Sequence, residues 1–112
     1  MLVVDDDVDT LRPTVRLLEL NGYVARGASG VQDAIDVWSS QGCDILVSDI
    51  ALPDGSGLDL MRRLGASGVR GVAISGHAGP EYLRASLAAG FSAHLTKPVQ
   101  FNDLLAALAS MG

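Results

Sequence analysis

Five short apolar runs, each followed by a longer stretch whose apolar residues recur at helical spacing, set the strongest limit on how this chain folds. A strand buried on both faces reads as a continuous hydrophobic run, so this alternation is the pattern of a parallel sheet covered on both sides by helices. The spacing predicts strands over 2–4, 23–26, 45–48, 71–74 and 93–95, and helices over 10–20, 31–40, 58–64, 81–89 and 102–109. Five such units make a doubly wound α/β fold with right-handed crossovers. Asp9 reads as the cap of the first helix, and Pro13, which removes one backbone donor, confines the regular part of that helix to the residues after it. Asn21-Gly22 and Ala89-Gly90 read as helix stops. Pro80 suits the first turn of the fourth helix, with Glu81 at the positive end of its dipole.

With 112 residues there is room for one domain, spanning 1–112, and for a core that needs neither disulfides nor a structural metal. A hydrophobic fraction of 48% and a charged fraction of 19% are those of a globular fold. The net charge of −5, with basic residues scattered along the chain, argues against a nucleic-acid surface. Cys43 is the single cysteine, so no internal disulfide forms; it fits a reducing cytoplasm and reads as a structural thiol. Neither a signal peptide nor an apolar run of about 18 residues is present, so the sequence indicates neither export nor membrane spanning. The chain enters a strand at once and stops soon after its last periodic segment, as expected of a very compact protein or of one domain of a longer one.

Charged and polar residues gather at the ends of the apolar runs. Val3-Val4 is followed by Asp5-Asp6-Asp7, Asp49 closes Ile45–Ser48, Ser75 closes Val72-Ala73-Ile74, and Lys97 closes Ala93–Thr96. In doubly wound folds the ligand lies beyond the carboxyl ends of the strands, where the strand order reverses. Asp5, Asp6 and Asp49 offer oxygen ligands to a hard cation such as Mg²⁺, with Mn²⁺ a possible substitute. Asp49 is then a nucleophile able to form an acyl phosphate, while Ser75 and Lys97 supply a hydroxyl donor and a fixed positive charge. Ala51, two residues past Asp49, could lend the cation a backbone carbonyl. Asp7 falls at the loop–helix junction and takes no catalytic role.

Val3-Val4-Asp5-Asp6-Asp7, Asp49-Ile50-Ala51-Leu52-Pro53-Asp54-Gly55-Ser56-Gly57, Ile74-Ser75-Gly76 and Leu95-Thr96-Lys97-Pro98 resemble, in order, the four motifs of two-component response-regulator receiver domains. The resemblance implies a flavodoxin-like three-layer sandwich with strand order 2-1-3-4-5. Asp49 would be the phosphoacceptor, Asp5 and Asp6 the Mg²⁺ holders, Ser75 the switch hydroxyl, and Lys97 the phosphate-binding lysine, followed by a cis peptide to Pro98. His94 stands where many receivers carry a rotating Tyr or Phe. His77 matches a variable position at the pocket mouth and, with Ala51, is a candidate for tuning the rate of dephosphorylation. The segments 75–80 and 89–99 are similar to the receivers fused at the carboxyl end of hybrid sensor histidine kinases.

That resemblance implies a cytoplasmic phosphoacceptor that catalyses only its own phosphorylation and dephosphorylation, in a parent that could itself be a histidine kinase. The implied partner is a sensor histidine kinase or a histidine phosphotransfer domain, with neither nucleic acid nor membrane contacted directly. Two other readings stay open: a stand-alone single-domain regulator, and a non-phosphorylated interaction module on the same fold. Other acidic-loop sites fit worse. Asp5, Asp7 and Asp9 have the opening spacing of an EF-hand, but Thr10 stands where Gly is needed and Arg16 where the bidentate Glu belongs. Asp5-Asp6-Asp7 would repel the phosphate of a flavin mononucleotide, and neither a P-loop nor a G-x-G-x-x-G pattern occurs. The fifth helix, Leu104-Leu105-Ala106-Ala107-Leu108-Ala109, carries more apolar residues than one buried face needs. The excess is expected either to be small residues outside a buried face or to mark a homodimer through the fourth helix, fifth strand and fifth helix.

Overall fold

The computed structural model describes residues 1–77 and 79–111. Its main sheet contains β1 (Leu2–Val4), β2 (Arg26–Ala28), β3 (Ile45–Asp49), β6 (Arg70–Ser75) and β7 (Ala93–Thr96) in the order β2-β1-β3-β6-β7, all neighbours parallel. Counting sheet strands alone, this is the expected 2-1-3-4-5. Helices α1 (Val8–Leu20), α2 (Val31–Gln41), α3 (Gly57–Gly65), α4 (Pro80–Ala89) and α5 (Phe101–Met111) connect and cover the strands.

Strand alternation divides the core in two. Leu2, Val4, Leu46 and Ala73 face a layer built on Ala34 of α2, Leu60, Met61 and Leu64 of α3, and Ala89 of α4. Val3, Val47 and Val72 point the other way, onto Leu11 and Leu18 of α1 and Leu104, Leu108 and Met111 of α5. Successive strand residues face opposite layers, which is why β1, β3 and β6 read as unbroken apolar runs. The chain leaves β1 in one direction to form β2 and in the other to form β3, β6 and β7, so the strand order reverses between β1 and β3.

Three expectations need correction. The second strand lies at 26–28, not 23–26: Leu2, Val3 and Val4 pair with Arg26, Gly27 and Ala28. The α1 side chain Leu11 packs so close that a Cβ on Gly27 would meet it at 3.3 Å, and the strand, Arg26-Gly27-Ala28, carries no apolar run to signal it. Tyr23 and Val24 lead into it, with Val24 74% exposed. The cap of α1 is Asp7, not Asp9; its carboxylate accepts from the Asp9 N–H at 3.1 Å and the Thr10 hydroxyl at 2.9 Å. Helix α1 begins at Val8 and runs through Pro13 unbroken, because the proline sits on the exposed face where water can serve the carbonyl it leaves unpaired. Helix α5 has the first of its two expected arrangements, small residues outside a buried face: Leu104 and Leu108 are buried, while Ala106 and Ala109 are exposed. The exposed apolar side chains of this region are Tyr82, Leu83 and Leu87 on α4.

The other helix signals stand where the sequence put them. Gly90 ends α4 in a left-handed conformation at φ 110°, Asn21 caps α1 before Gly22, and Pro80 opens α4 with Glu81 in its first turn. A two-stranded hairpin, β4 (Ala51–Leu52) with β5 (Gly55–Ser56), was not expected and lies between β3 and α3.

Candidate functional site

Asp5 and Asp6 follow the last residue of β1, and Asp49 is the last residue of β3, so the strand-order reversal brings these three side chains to one point. Carboxylate oxygens of Asp5, Asp6 and Asp49 lie within 4.8 Å of one another. Asp5 and Asp49 are buried, at 8% and 3% exposure, while Asp6 reaches solvent. The loop orients Asp5 by donating the Asp7 N–H to its carboxylate at 2.9 Å. Lys97, just past β7, sets its ammonium 3.0 and 3.1 Å from the two oxygens of Asp49. Hydrogen bonds between neighbouring strand ends hold these residues in place: Lys97 N–H donates to the Ser75 carbonyl at 2.8 Å, and Ile50 N–H to the Ile74 carbonyl at 3.0 Å.

Burial pushes the Asp49 carboxyl up to about 6, with Asp5 adding to the rise; the Lys97 hydrogen bond and charge pull the other way without cancelling it. For Lys97, burial lowers the ammonium's pKa, but the hydrogen bond and charge of Asp49, with Asp5 and Asp6 beyond, leave it above its ordinary value. One ammonium therefore does not neutralise the three carboxylates. An all-oxygen donor set with surplus negative charge fits a hard divalent cation. Asp5, Asp6 and Asp49 are the residues that would hold it, and Ala51 on β4 comes close behind Asp49.

Ser75 ends β6 and is 6% exposed. Its hydroxyl accepts the His77 N–H at 3.0 Å, which leaves its own O–H free to donate. The pocket in front of Asp49 has a volume of about 240 Å³, with Ala51, Ser75, His77 and Lys97 in its walls. Tyr82 of α4 completes it, its ring stacked on His77 at 4.5 Å and 11°. A larger, mostly apolar cleft of about 680 Å³ lies between α1 and the start of α5; it touches Asp5 and Lys97 but not Asp49. His94 lies on β7 opposite Ala73, with its Nε2 buried and without a hydrogen-bond partner among the described residues. The Lys97–Pro98 peptide is cis.

Sequence reasoning gave no individual role to three further residues. Tyr82 had no motif to mark it. Gly57 is needed because a Cβ there would sit 2.0 Å from the Asp49 carbonyl oxygen. Asp54, at the tip of the β4–β5 hairpin, accepts from the Val31 N–H at 2.7 Å and the Gln32 N–H at 3.0 Å. Only the D-G-S-G run around it could have drawn attention to that turn.

A doubly wound sheet with a carboxylate trio, a lysine and a hydroxyl at its switch point defines a class of phosphate-handling α/β domains. Within that class the chain belongs to the response regulator receiver domain family, which it matches over residues 1–109. It is 34% identical to the sensory/regulatory protein RpfC of Xanthomonas campestris, covering 99% of this chain and 16% of RpfC. It is 32% identical to an uncharacterised 14.6 kDa protein of Leptolyngbya boryana, covering 94% of this chain and 83% of that protein. Among solved structures, a CheY-like receiver domain protein from Methanospirillum hungatei superposes with a TM-score of 0.90 at 30% identity, over 98% of this chain and 90% of that one. A Burkholderia pseudomallei response regulator, solved with a phosphorylated aspartic acid, a calcium ion and citrate, gives a TM-score of 0.87 at 28% identity, over 96% and 64%.

Proposed function

We propose that Asp49 accepts a phosphoryl group from the phosphohistidine of a sensor histidine kinase or histidine phosphotransfer domain. The observation that carries this reading is the buried Asp49 carboxylate, held by Lys97 at 3.0 Å and crowded by Asp5 and Asp6. In the transfer one Asp49 oxygen forms a bond to phosphorus, the phosphorus–nitrogen bond breaks, and its electron pair stays with the imidazole. Asp5, Asp6 and Asp49, with the Ala51 carbonyl, would hold a Mg²⁺, which would supply charge neutralisation for the incoming phosphoryl oxygens. Lys97 moves its ammonium from the carboxylate to a phosphoryl oxygen, and Ser75 donates its free O–H to another without giving up the bond from His77. His94, three residues before Lys97 and half-buried, is the side chain assigned to rotate as that hydroxyl is drawn in, a reading supported by its position in the sequence alone. His77 and Ala51 flank the opening through which water reaches the acyl phosphate.

The Burkholderia relative, with its phosphorylated aspartic acid, supports the same chemistry here. The likeness to RpfC favours a receiver within a hybrid histidine kinase, with 1–112 as one domain of a longer cytoplasmic chain. The Leptolyngbya relative, of which this chain spans 83%, favours a stand-alone regulator as the second reading. Incubation with acetyl phosphate and Mg²⁺, then intact mass, tests the acceptor. One added phosphoryl group is expected on the wild type and none on Asp49→Asn. Equal uptake by both would refute Asp49 as the acceptor, and none by either would point to a receiver fold used only as a binding module.

A further inference from the structure

Asn21 and Gly22 close α1, and an Asn followed by Gly is prone to ring closure on the backbone, since glycine puts no side chain beside the attacking nitrogen. Both residues are exposed, and among the described residues nothing lies within 4 Å of where a Gly22 Cβ would stand, so water has free access to the pair. The fold nevertheless occupies each reacting group. The Asn21 side-chain amide donates to the Leu17 carbonyl at 2.8 Å, and the Gly22 N–H donates to the Glu19 carbonyl at 3.1 Å. A third bond, from the Tyr23 N–H to the Leu18 carbonyl at 3.1 Å, closes the turn behind them, with Gly22 in the left-handed region at φ 91°. Closing a five-membered ring needs the Asn21 Cβ and the Gly22 nitrogen eclipsed about the Cα–C bond. At ψ 14° the backbone nitrogen of Asn21 eclipses the Gly22 nitrogen instead, and Cβ is turned away from it.

We propose that Asn21 is a site of spontaneous deamidation that the folded cap of α1 holds closed, so that its conversion records how often this end of the helix opens. With the cap open, hydroxide takes the Gly22 N–H proton and the nitrogen bonds to Asn21 Cγ. The Cγ–Nδ2 bond then breaks, and the leaving nitrogen takes a proton from water and departs as ammonia. Water adds across one of the two ring C–N bonds of the succinimide, giving aspartate from one opening and isoaspartate from the other. Either product weakens the cap that protected its precursor. The donor to the Leu17 carbonyl is lost, and a carboxylate stands at the negative end of the α1 dipole. The isoaspartyl form also lengthens the backbone by a carbon between α1 and the segment that leads into β2.

The experiment holds wild type and Leu20→Gly at mildly alkaline pH, folded and in concentrated urea, and follows conversion by peptide mapping. Asn102, the other asparagine, is the internal control: it lies in α5, and the Asp103 side chain crowds the nitrogen that would attack it. Folded wild type is expected to convert at Asn21 roughly 25-fold more slowly than in urea, about fivefold for each of the two bonds on the reacting atoms. Leu20 is the last residue of α1 and 64% exposed, so Leu20→Gly loosens the final turn without touching the core. Its folded rate, divided by its own rate in urea, is expected to exceed that of wild type about threefold. Asn21→Asp is expected to melt below wild type. Equal folded and urea rates would overturn the protection, and conversion at Asn102 before Asn21 in urea would overturn the site. A Leu20→Gly ratio equal to that of wild type would show that conversion waits on unfolding of the whole chain, and an Asn21→Asp that melts as high as wild type would refute the weakening of the cap.

Discussion

Asp49→Asn should make the metal-free protein more stable at neutral pH. The Asp49 carboxyl is raised from 3.8 to about 6 because burial disfavours its charged form more than Lys97 favours it. Each tenfold change in acidity is about 1.4 kcal/mol, so ionising this group costs the folded state up to about 3 kcal/mol relative to the unfolded one. The sign comes from proton counts. Between pH 3.8 and about 6 the folded chain keeps a proton that the unfolded chain has released, so stability falls as pH rises through that window and the full penalty stands above it. Asparagine carries no charge to bury. In chelator at pH 7.5 the variant should exceed wild type by about 2–3 kcal/mol, an increase in Tm of roughly 10 °C for a domain of this size. At pH 3.5 the two should converge, and millimolar Mg²⁺ should raise wild type alone and narrow the gap. Circular-dichroism melts across pH 3.5–8, with and without Mg²⁺, measure all of this. An Asn variant no more stable than wild type at pH 7.5 in chelator, or a gap that ignores pH, refutes the reasoning.

Gly57→Ala places a Cβ 2.0 Å from the Asp49 carbonyl oxygen, a clash with backbone that no rotamer relieves. It should cost at least 2–3 kcal/mol, roughly, in urea denaturation; a midpoint equal to wild type would contradict the packing described. Tyr82→Ala removes the ring stacked on His77 and opens the pocket mouth. Decay of the phosphorylated protein, monitored by intact mass after the donor is removed, should quicken about 2–5-fold, the equivalent of ~0.5–1 kcal/mol of lost stacking; an unchanged half-life would show that the pair does not govern water access.

The strands buried on both faces could be read from the chain because burial on both sides leaves no room for polar residues: Leu46 and Val47 serve opposite layers yet are adjacent. β2 escaped because Arg26-Gly27-Ala28 holds no apolar run to mark it. The convergence of Asp5, Asp6, Asp49 and Lys97 was legible for a topological reason, since each follows or closes a strand of one parallel sheet. The roles of Asp54 and Tyr82 were not legible, because each is set by a partner in another segment of the chain, the N-terminus of α2 for Asp54 and the His77 ring for Tyr82. The apolar excess of α5 left two readings open, because composition counts apolar residues on a helix and only the fold says which of them the sheet consumes.

The shortness of β2 and β7 has a consequence for the chain in a crowded solution. An outer strand exposes a row of unused backbone donors and acceptors on which a foreign strand can grow, and the risk rises with its length and flatness. Here the two outer strands hold three and four residues, one of them Arg-Gly-Ala, while the continuous apolar segments of β1, β3 and β6 lie between them. The segments best suited to seeding amyloid-like stacking are thereby paired on both sides whenever the protein is folded. Lateral growth of the sheet has little to start from, and the danger is confined to moments when the chain opens.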